Sequence, residues 1–162
     1  MIAGGWQLNG VFSALSGTPF TVTSSGTSLN APGNTQTADQ VLPAVQILGG
    51  VGRGNSYFDP NAFAPVTAVR FGNSGRNTLR GPGLANIDAS LFRNVTFAGR
   101  TLQFRAEVFN LTNRPAFNNP GANASAPTRA ADGTILNLNG YTEITSAEAT
   151  ERQVRFALRF TF

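Results

Sequence analysis

The sequence predicts an all-β chain, and three observations carry that prediction. Four segments alternate apolar and polar residues with a period of two, the mark of strands with one oily face. No run approaches the roughly 18 apolar residues a membrane-crossing helix requires. The connections are grossly unequal, since one is a tight turn while two are long and rich in Gly, Pro, Asn, Ser and Thr. Together these predict antiparallel transmembrane β-barrel strands with two long extracellular loops, about residues 24–83 and 112–150.

The first segment, GWQLNGVFSA, sets Trp6, Leu8, Phe12 and Ala14 against Gln7, Asn9 and Ser13, with Gly10 and Val11 as departures. After the SGTP break, Phe20 and Val22 are expected to extend its apolar series. The second, LANIDASLFRNVTF, alternates Ile87, Ala89, Leu91, Val95 and Phe97 with Asn86, Asp88, Ser90, Asn94 and Thr96. Phe92 and Arg93 fall out of phase, which predicts a bulge or an interface position there. The third, TLQFRAEVFNL, places Leu102, Phe104, Ala106 and Val108 against Gln103, Arg105 and Glu107, and Ala98–Arg100 form the turn before it. The fourth, RQVRFALRFTF, sets Val154, Phe156, Leu158, Phe160 and Phe162 against Gln153, Arg155, Ala157, Arg159 and Thr161.

Length and polarity choose the solvent. A ten-residue strand rises about 33 Å and, tilted near 45°, spans about 23 Å, close to the apolar band of an outer-membrane barrel. Hydrocarbon accepts Phe and Leu, whereas Arg105, Glu107, Arg155 and Arg159 would each cost several kcal/mol in it, which predicts that these charges face the lumen. Glu107 is expected to pair with a lumen Arg across the ladder. If the chain ends on the periplasmic side, strand parity puts the short turn in the periplasm and both long loops outside. Four strands cannot close a barrel, and open edges are not tolerated in lipid. The 162 residues are therefore expected to be the C-terminal piece of a larger barrel domain, or one of several copies completing a barrel.

Composition excludes much chemistry. The chain has no Cys, no His and no Lys, so the usual zinc and thiol sites, imidazole bases and the phosphate-loop lysine are missing. The cluster GGVGRGNS, Gly49–Ser56, lacks the GK[ST] of a phosphate loop and predicts a flexible loop. No cofactor is expected. All twelve basic residues are Arg, spread from Arg53 to Arg159 without clustering, which argues against nucleic acid as a partner. Asp59, Asp88 and Glu107 are the carboxylates in suggestive surroundings, but Glu107 is more economically a strand charge beside Arg than a general acid, and no catalysis is expected. The sequons at Asn94, Asn110 and Asn123 are chance matches. MIAGGWQLNG has no signal-peptide pattern, so any such segment has been removed or lies further upstream in a longer chain.

Several motifs then carry a resemblance. RFALRFTF resembles the C-terminal signature of bacterial outer-membrane proteins, which implies that Phe156, Leu158, Phe160 and Phe162 are read by the barrel-assembly machinery. FRAEVFNLTNRPAF resembles a stretch of TonB-dependent receptors with an Asn-Leu-Phe-Asn core, here Asn110-Leu111-Thr112-Asn113 with Thr where Phe is frequent. SGTPF, FDPNAF and NTLRGPGLANIDASLFRN are similar, in order, to the Oar-like branch bearing a carboxypeptidase-regulatory domain. The resemblance implies a receptor in the bacterial outer membrane that takes up a scarce ligand, a small molecule or polysaccharide, driven through TonB. Plug and TonB box are not among these residues, so coupling to the TonB complex would run only through a missing N-terminal part.

Within this picture, Trp6 and Phe97 fit an aromatic girdle at strand ends. Phe58 and Phe63 are either outer-loop ligand contacts or pins holding the loop to itself, and the second reading is favoured. Arg76 and Arg80 could attract an anionic ligand, acidic lipid or polysaccharide. Two alternatives share the same alternation: an oligomeric outer-membrane barrel or adhesin anchor built from several chains, and a soluble β-sandwich binding module.

Overall fold

The computed structural model describes residues 4–148 and 151–162. They divide into two compact units, a wall and a loop body. The wall holds the described residues through Leu15, Leu84–Ala116 and the chain from Glu148 onward. The loop body holds Ser16–Gly83 and Phe117–Ala147.

The wall is one antiparallel sheet whose spatial order equals its chain order: Trp6–Leu15, Leu84–Phe97, Arg100–Phe109 and Gln153–Thr161. These are the four segments of period two. The central pair is closed by Ala98 and Gly99 alone, with φ of 47° and 77°. Positive φ at both central residues is the type I′ geometry whose twist matches a hairpin. Glycine adopts it freely, whereas Ala98 holds it against its own Cβ.

Of the two expectations for Phe92 and Arg93, a bulge or an interface position, the register excludes the bulge. Pairing runs unbroken from Trp6 opposite Arg93 to Leu15 opposite Leu84, and from Ala89 opposite Val108 to Phe97 opposite Arg100. Phe92 and Arg93 therefore sit in a regular strand, each on the face its chemistry does not suit. Each has a stacking partner directly across the ladder. The Arg105 guanidinium lies 4.6 Å from the Phe92 ring centre, and that of Arg93 lies 5.0 Å from the Trp6 ring. Cation–π contact replaces the extra residue that a bulge would have inserted.

A second correction concerns the first long connection. The first strand ends at Leu15, and Phe20 and Val22 are buried in the loop body instead of prolonging the apolar face. The cause is a short ladder of Pro19–Phe20 with Leu79–Arg80, which turns the chain into a separate core. A Cβ on Gly17 would collide with the Gly81 carbonyl, so glycine is what lets the two backbones of this neck meet.

The loop body is held by small pairings: Thr23–Ser25 with Thr35–Thr37, Asp39–Gln40 with Phe63–Ala64, and Thr128–Arg129 with Ile135–Asn137. Its core centres on Phe58, which meets Phe20 at 5.9 Å, Phe63 edge-on at 6.0 Å and Tyr141 edge-on at 5.6 Å between ring centres. Tyr141 comes from the second long connection, so both connections share one core. Backbone bonds join them as well: Thr23 N donates to Ala122 O at 2.7 Å, and Tyr57 N to Thr142 O at 2.7 Å.

Candidate functional site

The unbroken register sorts the wall into two faces. Residues paired across an antiparallel ladder point the same way. One face carries Trp6, Leu8 and Phe12 from the first strand, Ile87, Leu91, Val95 and Phe97 from the second, Leu102, Phe104 and Val108 from the third, and Val154, Phe156, Leu158 and Phe160 from the fourth. Within the chain these side chains have little cover: Leu8 is 76% exposed, and Phe156 and Leu158 are each 71% exposed. The other face carries Gln7, Asn9, Ser13, Asn86, Asp88, Ser90, Asn94, Gln103, Arg105, Glu107, Gln153, Arg155 and Arg159.

Arg105, Glu107, Arg155 and Arg159 thus share the polar face. The expected cross-strand ion pair is corrected in detail. Arg155 stands opposite Glu107 in register, yet the ion pair that forms runs along the third strand, Arg105 Nη1 to Glu107 Oε1 at 3.6 Å. The Arg155 guanidinium instead covers the Phe109 ring at 4.9 Å, and Nη2 donates to Gln153 Oε1 at 3.4 Å. An aromatic ring on a polar face exposes apolar area, and a guanidinium covers it while keeping its N–H groups wet. Asp88 is engaged too, accepting from the Asn110 N–H at 2.8 Å and from Asn86 Nδ2 at 3.0 Å. Asn110 lies in the motif after the third strand and, at φ 52°, returns its own side chain to the Arg114 N–H and carbonyl at 3.0 Å each. The motif's Asn therefore ends a strand and shapes the turn beyond it.

Aromatic residues gather where the hairpin turns. On the apolar face Phe97 and Phe160 stack with ring centres 6.2 Å apart, and Phe162 lies tilted against Phe160, also at 6.2 Å, so Phe160 joins the terminal strand to the end of the second. Phe156 stacks on Phe104 one layer further along, at 6.3 Å. Trp6, the first residue of its strand, occupies the same half of the face.

The outer-loop candidates part company. Phe58 is 0% and Phe63 1% exposed, so both form the core and are out of reach of a ligand on the surface; as contacts they are corrected, because the rings pin the loop body together. Arg80 reaches back to donate to the Gly17 carbonyl at 3.1 Å, while its own carbonyl accepts from the Tyr57 hydroxyl at 3.1 Å, so it fastens the neck. Arg76 borders an open cleft of about 680 Å³ with Leu29, Thr35, Gln36, Phe71 and Ser74.

A second cleft, about 710 Å³, escaped sequence reasoning. It is lined by Arg53, Leu136, Asn137, Asn139 and Glu143. The Glu143 carboxylate accepts from the Gly54 and Gly140 N–H groups, which ties the GGVGRGNS turn to the second connection. That turn is well held and not a loose loop: Gly50 N donates to Ser56 O at 3.1 Å and Gly52 N to Ile144 O at 2.9 Å. Its partners lie some ninety residues on, a separation no local motif reveals. Elsewhere Arg70 grips Asp39 with two parallel bonds of 2.7 Å, and that guanidinium holds the Asp39 carboxyl below its ordinary range. Burial pushes the Tyr141 hydroxyl well above the usual phenol value. Among the described residues no cluster of acidic side chains could hold a metal ion.

A sheet with one mainly apolar face, one charged face and its long connections at a single end is the wall of a membrane β-barrel. The family described as "Outer membrane beta barrel domain" matches residues 1–155, and the chain belongs to it. Its place is the bacterial outer membrane. Membership sets aside the soluble sandwich. No curated protein and no solved structure matches the chain.

Proposed function

We propose that this chain supplies terminal strands to the barrel of a TonB-dependent receptor of the Oar-like kind, which takes up a scarce ligand across the outer membrane. One observation carries the reading: the two long connections fold into a single cored body that offers polar clefts beside Arg53, Glu143 and Arg76. A plain anchor has no need of such a body, whereas a receptor must present ordered surface to its ligand. The motif resemblances support the same family in the same order. Arg105, Glu107, Arg155 and Arg159 face the barrel interior in this reading, because hydrocarbon would not accept them. The chain's role is structural and ligand-presenting, with no catalysis; four of its described carboxylates, Asp59, Asp88, Glu107 and Glu143, are engaged by backbone or neighbouring polar groups.

The test uses the full-length protein that contains this chain, purified in detergent and passed over the immobilised periplasmic domain of TonB. Retention is the expected result. Failure to bind, with a gene that encodes no plug ahead of these strands, overturns the receptor reading. A heat-resistant trimer by native mass would favour the multi-chain anchor in its place. Phe156, Leu158, Phe160 and Phe162 are the residues offered to the assembly machinery, and Phe162→Asp should lower the amount of assembled protein at the surface; unchanged amounts would remove that role.

A further inference from the structure

The apolar face of the wall holds two residues that hydrocarbon should reject, Arg93 within it and Arg100 at its end. Register puts Arg93 on it, between Trp6 on the first strand and Phe104 on the third. Arg93 is half-buried, its guanidinium rests on the Trp6 ring, and its Nε is covered with no hydrogen-bond partner in the protein among the described residues. Arg100 lies on the same face beside the turn, opposite Phe97. No Asp or Glu among the described residues shares this face, for Asp88 and Glu107 both belong to the other.

Depth fits these facts together. Arg93 stands four residues before the end of its strand at Phe97, about 13 Å along it and, with the usual tilt, about 9 Å above the turn. A guanidinium at that level, extended toward the turn, reaches the ester and phosphate layer of the nearer leaflet. Trp6 occupies the belt position where an indole favours that layer. A guanidinium seated on an indole, with no acid on its face among the described residues to neutralise it, complements one kind of group available at a lipid surface, a phosphodiester anion.

We infer that Arg93, seated on Trp6, clamps the phosphate of a phospholipid in the leaflet nearest the hairpin turn. The site lies outside the barrel and is separate from any ligand path through it. It rests on the reading that the apolar face meets lipid. In it the planar guanidinium gives two parallel N–H bonds to the phosphate oxygens while the indole keeps the fork in plane. The phospholipid answers the charge that the protein leaves unanswered.

The experiment takes the full-length protein in nanodiscs of phosphatidylethanolamine and phosphatidylglycerol and counts the lipids retained by native mass spectrometry after mild delipidation. Arg93→Gln should lower retention of phosphatidylglycerol about tenfold, the scale of one lost charge-assisted pair. Arg159→Gln removes an equal charge from the polar face at the same end of the wall and should leave retention unchanged. Arg93→Lys keeps the charge without the fork and should fall between. Equal retention in the wild type and Arg93→Gln overturns the clamp, as does equal loss in Arg159→Gln. Should Arg93→Gln fail to assemble, the wild-type protein still decides: retention of neutral diacylglycerol equal to that of phosphatidylglycerol also overturns it. A Leu8→Cys variant labelled by a maleimide dissolved in the lipid checks the facing separately. If Leu8→Cys stays unlabelled, the wall is turned the other way and the receptor geometry falls with the clamp; if it labels while Arg93→Gln keeps its lipid, the clamp alone falls.

Discussion

The wall and the loop body are built from one composition and use it in opposite ways. In the loop body the large rings are hidden, with Phe20, Phe58, Phe63 and Tyr141 packed on one another. In the wall the equivalent rings, Phe12, Phe104, Phe156 and Phe160, stand together on one face of a single sheet. The loop body is stabilised by burying its apolar area in protein, whereas the wall takes that stabilisation from the membrane. The contrast teaches that exposure alone does not mark a functional patch; what matters is whether exposure follows the strand period, as in the wall, or is scattered.

Breaking each region from its own side sharpens the comparison. The largest effect belongs to Phe58→Ala, which empties the centre of the loop core and should cost about 3–5 kcal/mol there. Limited proteolysis should then cut between residues 16 and 83 while heat-modifiable migration of the barrel persists. Loss of both together would mean that the two regions do not fold independently.

Next come Phe156→Arg and Ala157→Arg, neighbours on opposite faces of one strand. The first places a charge in hydrocarbon and should destabilise the assembled barrel by about 2–4 kcal/mol, while the second adds a cation to a face that already holds several and should cost far less. Urea midpoints in lipid vesicles measure both, and equal shifts would refute the assignment of faces.

A smaller effect is confined to acid. Asp39 titrates below its ordinary 3.8 because Arg70 binds its charged form. A lowered folded value means that this stabilisation is complete above 3.8 and disappears as pH falls through the lower folded value. Asp39→Asn should therefore loosen the segment around Arg70 at neutral pH, seen as faster proteolysis, and match the wild type once both are acidified past that range. A difference that persists unchanged into strong acid would show that the ion pair is not its source.

The smallest effect concerns the hairpin. Ala98→Asn puts a residue tolerant of positive φ at the first turn position and should stabilise the barrel by up to about 1 kcal/mol, raising the urea midpoint slightly. A lower midpoint would mean that the turn contributes more than its backbone angles.

The wall was legible because a period of two is local: Leu102 to Val108 and Val154 to Phe162 declare their faces without knowledge of any partner. Phe92 and Arg93 misled for the same reason, since what reconciles them with a straight strand is Arg105 and Trp6 on adjacent strands. Phe20 and Val22 continued the apolar rhythm on paper, but the ladder that captures Phe20 is supplied by Leu79, some sixty residues later. Glu143 and Arg53 form one cleft from opposite long connections, and neither sits in a motif. Residue types named the chemistry; long-range pairing decided where it was spent.

The necks of the two excursions have a bearing on how quickly such a chain can assemble. Pro19–Phe20 is zipped to Leu79–Arg80, and Asn118 N reaches Ser146 O at 3.1 Å beside a bridge between Phe117 and Ala147. Closing an unstructured span of this length carries an entropic penalty that grows with the logarithm of its size, so strands separated by it would otherwise be slow to find each other. Once each neck is tied, the intervening residues no longer count as slack, and all three junctions between neighbouring strands behave kinetically like hairpins.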